Sequence, residues 1–130
     1  VMMKEPMKIT DTITIDPIVK VLPGSEKIPD LSETWPICIR RDAPQEIKDK
    51  ITKAFHWALK QPEILEYTKL KGLNIVGLTG DEADRFLSLQ ISGYSWVLFN
   101  AKMAEKSPAD FNIPKLADWD WETEKKKLNK

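Results

Sequence analysis

Residues 71–82 read Lys71-Gly72-Leu73-Asn74-Ile75-Val76-Gly77-Leu78-Thr79-Gly80-Asp81-Glu82. Gly72 stands where a helix often ends on a left-handed residue, a conformation glycine adopts without a Cβ clash. Leu73 to Val76 is a short apolar run with a β-branched end, which predicts a strand. Thr79 followed three residues later by Glu82 forms the pattern of a capping box. Beyond it Ala83, Phe86, Leu87, Gln90, Tyr94, Val97, Leu98 and Ala101 recur at helical spacing, so a helix is expected to reach Lys102 or beyond. Gly93 in its middle either weakens the helix by about 1 kcal/mol of propensity against alanine or marks a close packing contact. Helix, strand and helix in that order predict an α/β chain.

Upstream, Pro62 suits the first turn of a helix, where its missing N–H has no intrahelical partner. Glu63 and Glu66 lie near the positive end of that helix, and Lys69 and Lys71 near the negative end. An earlier helix is predicted from Ile47, Ile51, Ala54, Phe55, Ala58 and Leu59, which form one apolar stripe. Asp42 is its expected N-cap, with Gln45 at N3. It should end near Lys60 or Gln61, because proline disfavours helical geometry in the residue before it.

Further out the pattern changes to alternation. Trp35, Ile37 and Ile39 would share one face of a strand over 34–40, with Cys38 on the other. Ile9, Ile13, Ile15, Val19 and Val21 all fall on odd positions, the period of a strand with one covered face. Pro17 breaks that series into short pieces. Pro23-Gly24-Ser25 and Pro29-Asp30 are turn signals. Downstream, Ser107-Pro108 opens another helical turn, Trp119 and Trp121 suggest docking, and Lys125 to Lys127 reads as a solvated end. The expectation is a single α/β domain or fragment over 1–130, a small sheet flanked by helices. Residues 1–40 form its strand-rich part, 42–105 its helical part with a short strand at 73–76, and 106–130 an irregular docking tail.

The 130 residues are 42% hydrophobic and 31% charged, the makeup of a folded, soluble protein with one modest core. Twenty Lys plus Arg balance twenty Asp plus Glu, ten against ten in each half. That balance lacks the global basic footprint of a nucleic-acid binder, so no nucleic-acid partner is expected. One cysteine, Cys38, excludes an internal disulfide and a multi-cysteine zinc site. No apolar run is long enough for a transmembrane span. The opening residues carry no apolar core of a signal peptide.

No catalytic constellation stands out. His56 is the sole histidine and lies just off the apolar stripe, without a nucleophile or orienting partner at a recognisable spacing. Cys38, between Ile37 and Ile39, reads as a small buried hydrophobe. Asp81, Glu82 and Asp84 fit a helix N-terminus better than a cation site. No GxGxxG or GxxxxGK[ST] loop occurs, and no cofactor is expected. Trp57, Trp96, Trp119 and Trp121 read as core or interface, since no basic stripe interleaves with them. Arg40 and Arg41, at a strand end before a helix, read first as surface or salt-bridge residues; they are also the candidate ligand-binding residues, because a guanidinium matches a carboxylate with two parallel hydrogen bonds.

From about Arg40 to Leu98 the chain resembles the C-terminal part of the extracytoplasmic solute-binding receptors of tripartite tricarboxylate transporters. The likeness lies in ordered features: Arg41-Asp42-Ala43-Pro44, Lys50 to Phe55, Gln61-Pro62-Glu63-Ile64, Lys71 to Glu82, then Phe86-Leu87 and Trp96. It implies one lobe or fragment of a two-lobed periplasmic-binding-protein-like fold. It also implies a periplasmic or extracytoplasmic place, small organic carboxylates as ligands, membrane permease subunits as partners, and no enzymatic chemistry. The remainder of the receptor, or another copy of the chain, would be a further partner. Two other readings stand beside it: a standalone structural or dimerisation domain using the tryptophan-rich tail, and a small enzyme using Cys38 or His56.

Overall fold

The computed structural model describes residues 6–22 and 34–128. The turn signals at Pro23-Gly24-Ser25 and Pro29-Asp30 lie outside the described residues. The chain opens with two-residue strands, β1 (Met7–Lys8) and β2 (Thr14–Ile15), followed by a single helical turn, α1 (Ile18–Val21). Three longer helices follow: α2 (Gln45–Ala58), α3 (Pro62–Lys71) and α4 (Gly80–Asn100). Two 3-10 turns, Pro108–Phe111 and Leu116–Asp118, lead to a last helix, α5 (Trp121–Leu128).

The expected α/β sheet does not form, and the molecule is mostly helical. The only described ladder is the antiparallel pairing of β1 with β2, with Met7 opposite Ile15 and Lys8 opposite Thr14. Residues 34–40 and 73–76 carry no strand, which corrects both strand expectations. A strand is stabilised by a neighbour's backbone, and no described strand runs beside either segment. Leu73 to Val76 instead bridges two turns at Gly72 and Gly77, whose φ angles are +63° and +66°. The odd-position series fails as well. Ile9, Ile13 and Ile15 are exposed, and Val19 and Val21 belong to α1, which begins after Pro17.

The helix punctuation follows the sequence at both ends of α3 and departs from it at the starts of α2 and α4. Gln61 is extended at ψ 140°, as the proline after it requires, and Pro62 opens α3. Gly72 closes α3 in the left-handed conformation. Thr79 does precede α4, yet its hydroxyl makes no cap hydrogen bond. Gly80 enters the helix at φ +57°. Asp42 is not the cap of α2. Pro44 holds that position, while the Asp42 carboxylate is taken by Arg40.

The packed part of the molecule is α4 with everything that follows it. Both 3-10 turns and α5 lie against α4. Ser92 is fully buried on α4 beside buried Gly93, and its hydroxyl donates to the Pro114 carbonyl at 2.7 Å. One turn on, the Trp96 indole N–H reaches the carbonyls of Pro114 at 2.9 Å and Ile113 at 3.2 Å. The Trp96 ring meets Phe99 edge to face at 6.0 Å, and the Lys115 ammonium stands over it at 5.2 Å. The Trp119 indole donates to Ser88 Oγ at 3.1 Å. Asp120 starts α5 by accepting the Thr123 N–H at 2.9 Å and the Thr123 hydroxyl at 2.8 Å. Two of the three lysines expected to be solvated have partners: Lys125 pairs with Asp81, and Lys127 donates to the Asn112 carbonyl at 2.9 Å.

The helices α2 and α3 are different. Neither packs broadly on another described element. They are tied to the rest mainly through Leu59 near Gly77, the His56 ring 3.3 Å from the Gly77 carbonyl, and the Arg41–Asp84 pair.

Candidate functional site

A groove of 470 Å³ lies between the segment at Thr34 to Pro36 and one face of α4. Leu87, Gln90, Ile91, Tyr94 and Ser95 line the α4 side. These positions recur every three or four residues, so the helix presents them together. The walls are mainly apolar. Polar character comes from Gln90, which is buried, and whose amide oxygen accepts the Thr34 hydroxyl at 2.7 Å. That hydrogen bond is what brings residue 34 against residue 90. The signal for it was in the sequence: Gln90 is a polar residue on an otherwise apolar stripe, and a buried amide needs a partner.

Arg40 and Arg41 are both exposed, and both are engaged with carboxylates. Arg40 grips Asp42 through two parallel hydrogen bonds, Nε to Oδ1 at 2.9 Å and Nη2 to Oδ2 at 2.6 Å. Arg41 Nη2 donates to Asp84 Oδ2 at 3.2 Å, and the Arg41 carbonyl accepts the Lys48 ammonium at 2.5 Å. The two guanidinium groups therefore serve different carboxylates, one two residues away and one on α4. Neither lines the groove.

The acidic cluster at the start of α4 is divided in the same way. Asp81 holds Lys125 and Asp84 holds Arg41, so these side chains bind cationic residues of the chain rather than orphan N–H groups. The bond from Lys125 to Asp81 also raises the lysine above its ordinary pKa. The two hydrogen bonds from Thr123 lower Asp120 below the usual carboxylate range.

Cys38 is exposed rather than buried, which corrects its reading as a small core residue. The His56 ring is also exposed, and its contacts are the Gly77 carbonyl and the face of Phe55, tilted at 42° with centroids 5.8 Å apart. No group of three or more His, Cys, Asp or Glu side chains among the described residues converges on a point that could hold a metal ion. No described helix is long and apolar enough to cross a membrane.

No family model, curated protein or solved structure matches the chain.

Proposed function

We propose that this chain is part of a solute-binding receptor that captures small organic carboxylates and delivers them to a membrane permease, without chemistry of its own. The observation that carries the reading is the state of the apolar side chains. Among the described residues, those buried are Pro17, Gln90, Ser92, Gly93 and Pro108; no leucine, isoleucine, valine, phenylalanine or tryptophan is among them. Exposed large apolar side chains run through the region of resemblance, including Ile47, Trp57, Ile75, Val76, Ile91 and Val97. A contiguous patch among such side chains would mark an interaction face. Helices whose faces are finished by other polypeptide fit a receptor assembled from more than this chain, and fit poorly a small enzyme that builds its own pocket around Cys38 or His56.

Within that reading Arg40 is the ligand-facing candidate of the pair. It already holds a carboxylate in the two-bond geometry that a substrate carboxylate would use, so a ligand would exchange with Asp42 rather than meet a bare cation. Arg41 would stay on Asp84 and fix the approach of α2 to α4.

The test is thermal unfolding in the presence of dicarboxylates, tricarboxylates and aromatic acids. A ligand at a hundred times its dissociation constant stabilises the folded form by about 2.7 kcal/mol, which is readily seen as a rise in Tm. The expected result is a saturable rise with one class, reduced by Arg40→Ala. No rise with any carboxylate at millimolar concentration would remove the proposal.

A further inference from the structure

Every residue of α3 but Thr68 is exposed, Leu65 among them, and one face of the helix has its apolar and charged positions spaced symmetrically about Tyr67. Tyr67 is its midpoint. Ile64 and Leu70 lie three residues to either side of it, and Glu63 and Lys71 lie four. At 3.6 residues per turn these five side chains fall within about a third of the helix circumference. All five are exposed; the apolar three range from 37% exposed at Ile64 through 46% at Tyr67 to 77% at Leu70. No described element packs broadly on α3. Neither Glu63 nor Lys71 has an ion-pair partner among the described residues.

We infer that α3 is a self-association surface that takes the α3 of a second copy of this chain, antiparallel, about a two-fold axis at Tyr67. A two-fold interface presents one patch to itself, so each residue must meet its counterpart from the opposite end. Here that operation sets Glu63 against Lys71 of the other copy at both ends of the seam, Ile64 against Leu70 inside them, and Tyr67 against Tyr67 at the centre. A parallel arrangement would instead set Glu63 against Glu63 and Lys71 against Lys71. Charge therefore selects both the partner and its direction.

The helix is ten residues long, and Trp57, Leu73, Ile75 and Val76, all exposed, lie close to it in sequence. The inference is independent of the receptor reading, since it needs no ligand and holds equally for a structural module.

The experiment is sedimentation velocity on the chain from low to high micromolar concentration, with Glu63→Lys and Lys71→Glu variants measured singly and mixed. The wild type should show a concentration-dependent dimer. Each single variant sets like charges at both ends of the seam, and should raise the dissociation constant at least about tenfold. An equimolar mixture should restore the dimer, because the chain with two lysines then faces the chain with two glutamates. Helical circular dichroism checks that the variants are folded. As a second readout, Tyr67→Cys in a Cys38→Ser background should form an intermolecular disulfide under mild oxidation. A wild type that stays monomeric throughout, single variants as dimeric as the wild type, or a mixture that fails to reassociate would each overturn the inference.

Discussion

Two regions of this molecule hold helices of similar quality in very different surroundings. From residue 80 onward, α4 is fastened by its own tail: Ser92 and Trp96 both bind the backbone at 113–114, Trp119 binds Ser88, and Lys125 binds Asp81. From residue 45 to 71, α2 and α3 have well-placed ends but no broad cover. The difference shows that local punctuation is enough to start and stop a helix, while its stability in water comes mostly from packing an apolar face. In one region that packing comes from within the chain. In the other no described element supplies it.

The sharpest way to break this comparison is to remove the same side chain from each region. Trp96→Ala should destabilise the chain by about 3 kcal/mol, because it removes a half-buried indole, its edge contact with Phe99 and its anchoring of the tail. Trp57→Ala, at a position 66% exposed, should change stability of the dilute chain by no more than about 0.5 kcal/mol. Urea unfolding followed by circular dichroism measures both. Equal costs would mean that the two regions are not differently packed.

Ser92→Ala comes next. It removes one donor to the Pro114 carbonyl in a fully buried place, while Trp96 still donates to the same oxygen. The expected cost is about 1 kcal/mol by the same measurement. Arg41→Ala cuts the exposed pair that links the start of α2 to α4, and should cost about 0.5 kcal/mol or less, falling further with added salt.

The smallest effect at neutral pH concerns the tail alone, and it sharpens the comparison by titration. Thr123 holds Asp120 below its ordinary pKa, so its contribution to α5 is present above the ordinary aspartate range and is lost as pH falls through the lowered value. Asp81 holds Lys125 above its ordinary pKa, so that contribution is present below the ordinary lysine range and is lost as pH rises through the raised value. Tryptophan fluorescence against pH should therefore show the tail loosening at both extremes, with a level stretch between.

Much of the helical order could be read from single residues. Pro62 and Gly72 bracket α3 because their effects are steric and local. Ser107 before Pro108 marked the 3-10 turn it now caps, accepting the Ala109 N–H at 3.3 Å. What failed was everything that depends on a distant partner. Leu73 to Val76 and Trp35 to Ile39 have strand composition, but composition cannot supply the neighbouring strand on which a sheet depends. The capping box at Thr79 does not form its side-chain bond, and the positive φ that Gly80 adopts after it is not announced by the sequence, since a glycine permits either sign. At the candidate site, Arg40 and Arg41 were legible as a pair of cations, whereas their partners were not. Asp84 is 43 positions from Arg41, and nothing in the spacing announces it. Gln90 on an apolar stripe was the one missed clue, since its burial required a donor such as Thr34.

The distribution of indoles gives this protein a built-in pair of optical reporters. Trp35 and Trp57 stand in water, while Trp96 and Trp119 have their N–H groups held against α4 and its tail. An aqueous quencher such as iodide should reach the first pair freely and the second pair poorly. A partner that covers the outlying helices would then announce itself as shielding of the accessible emission alone.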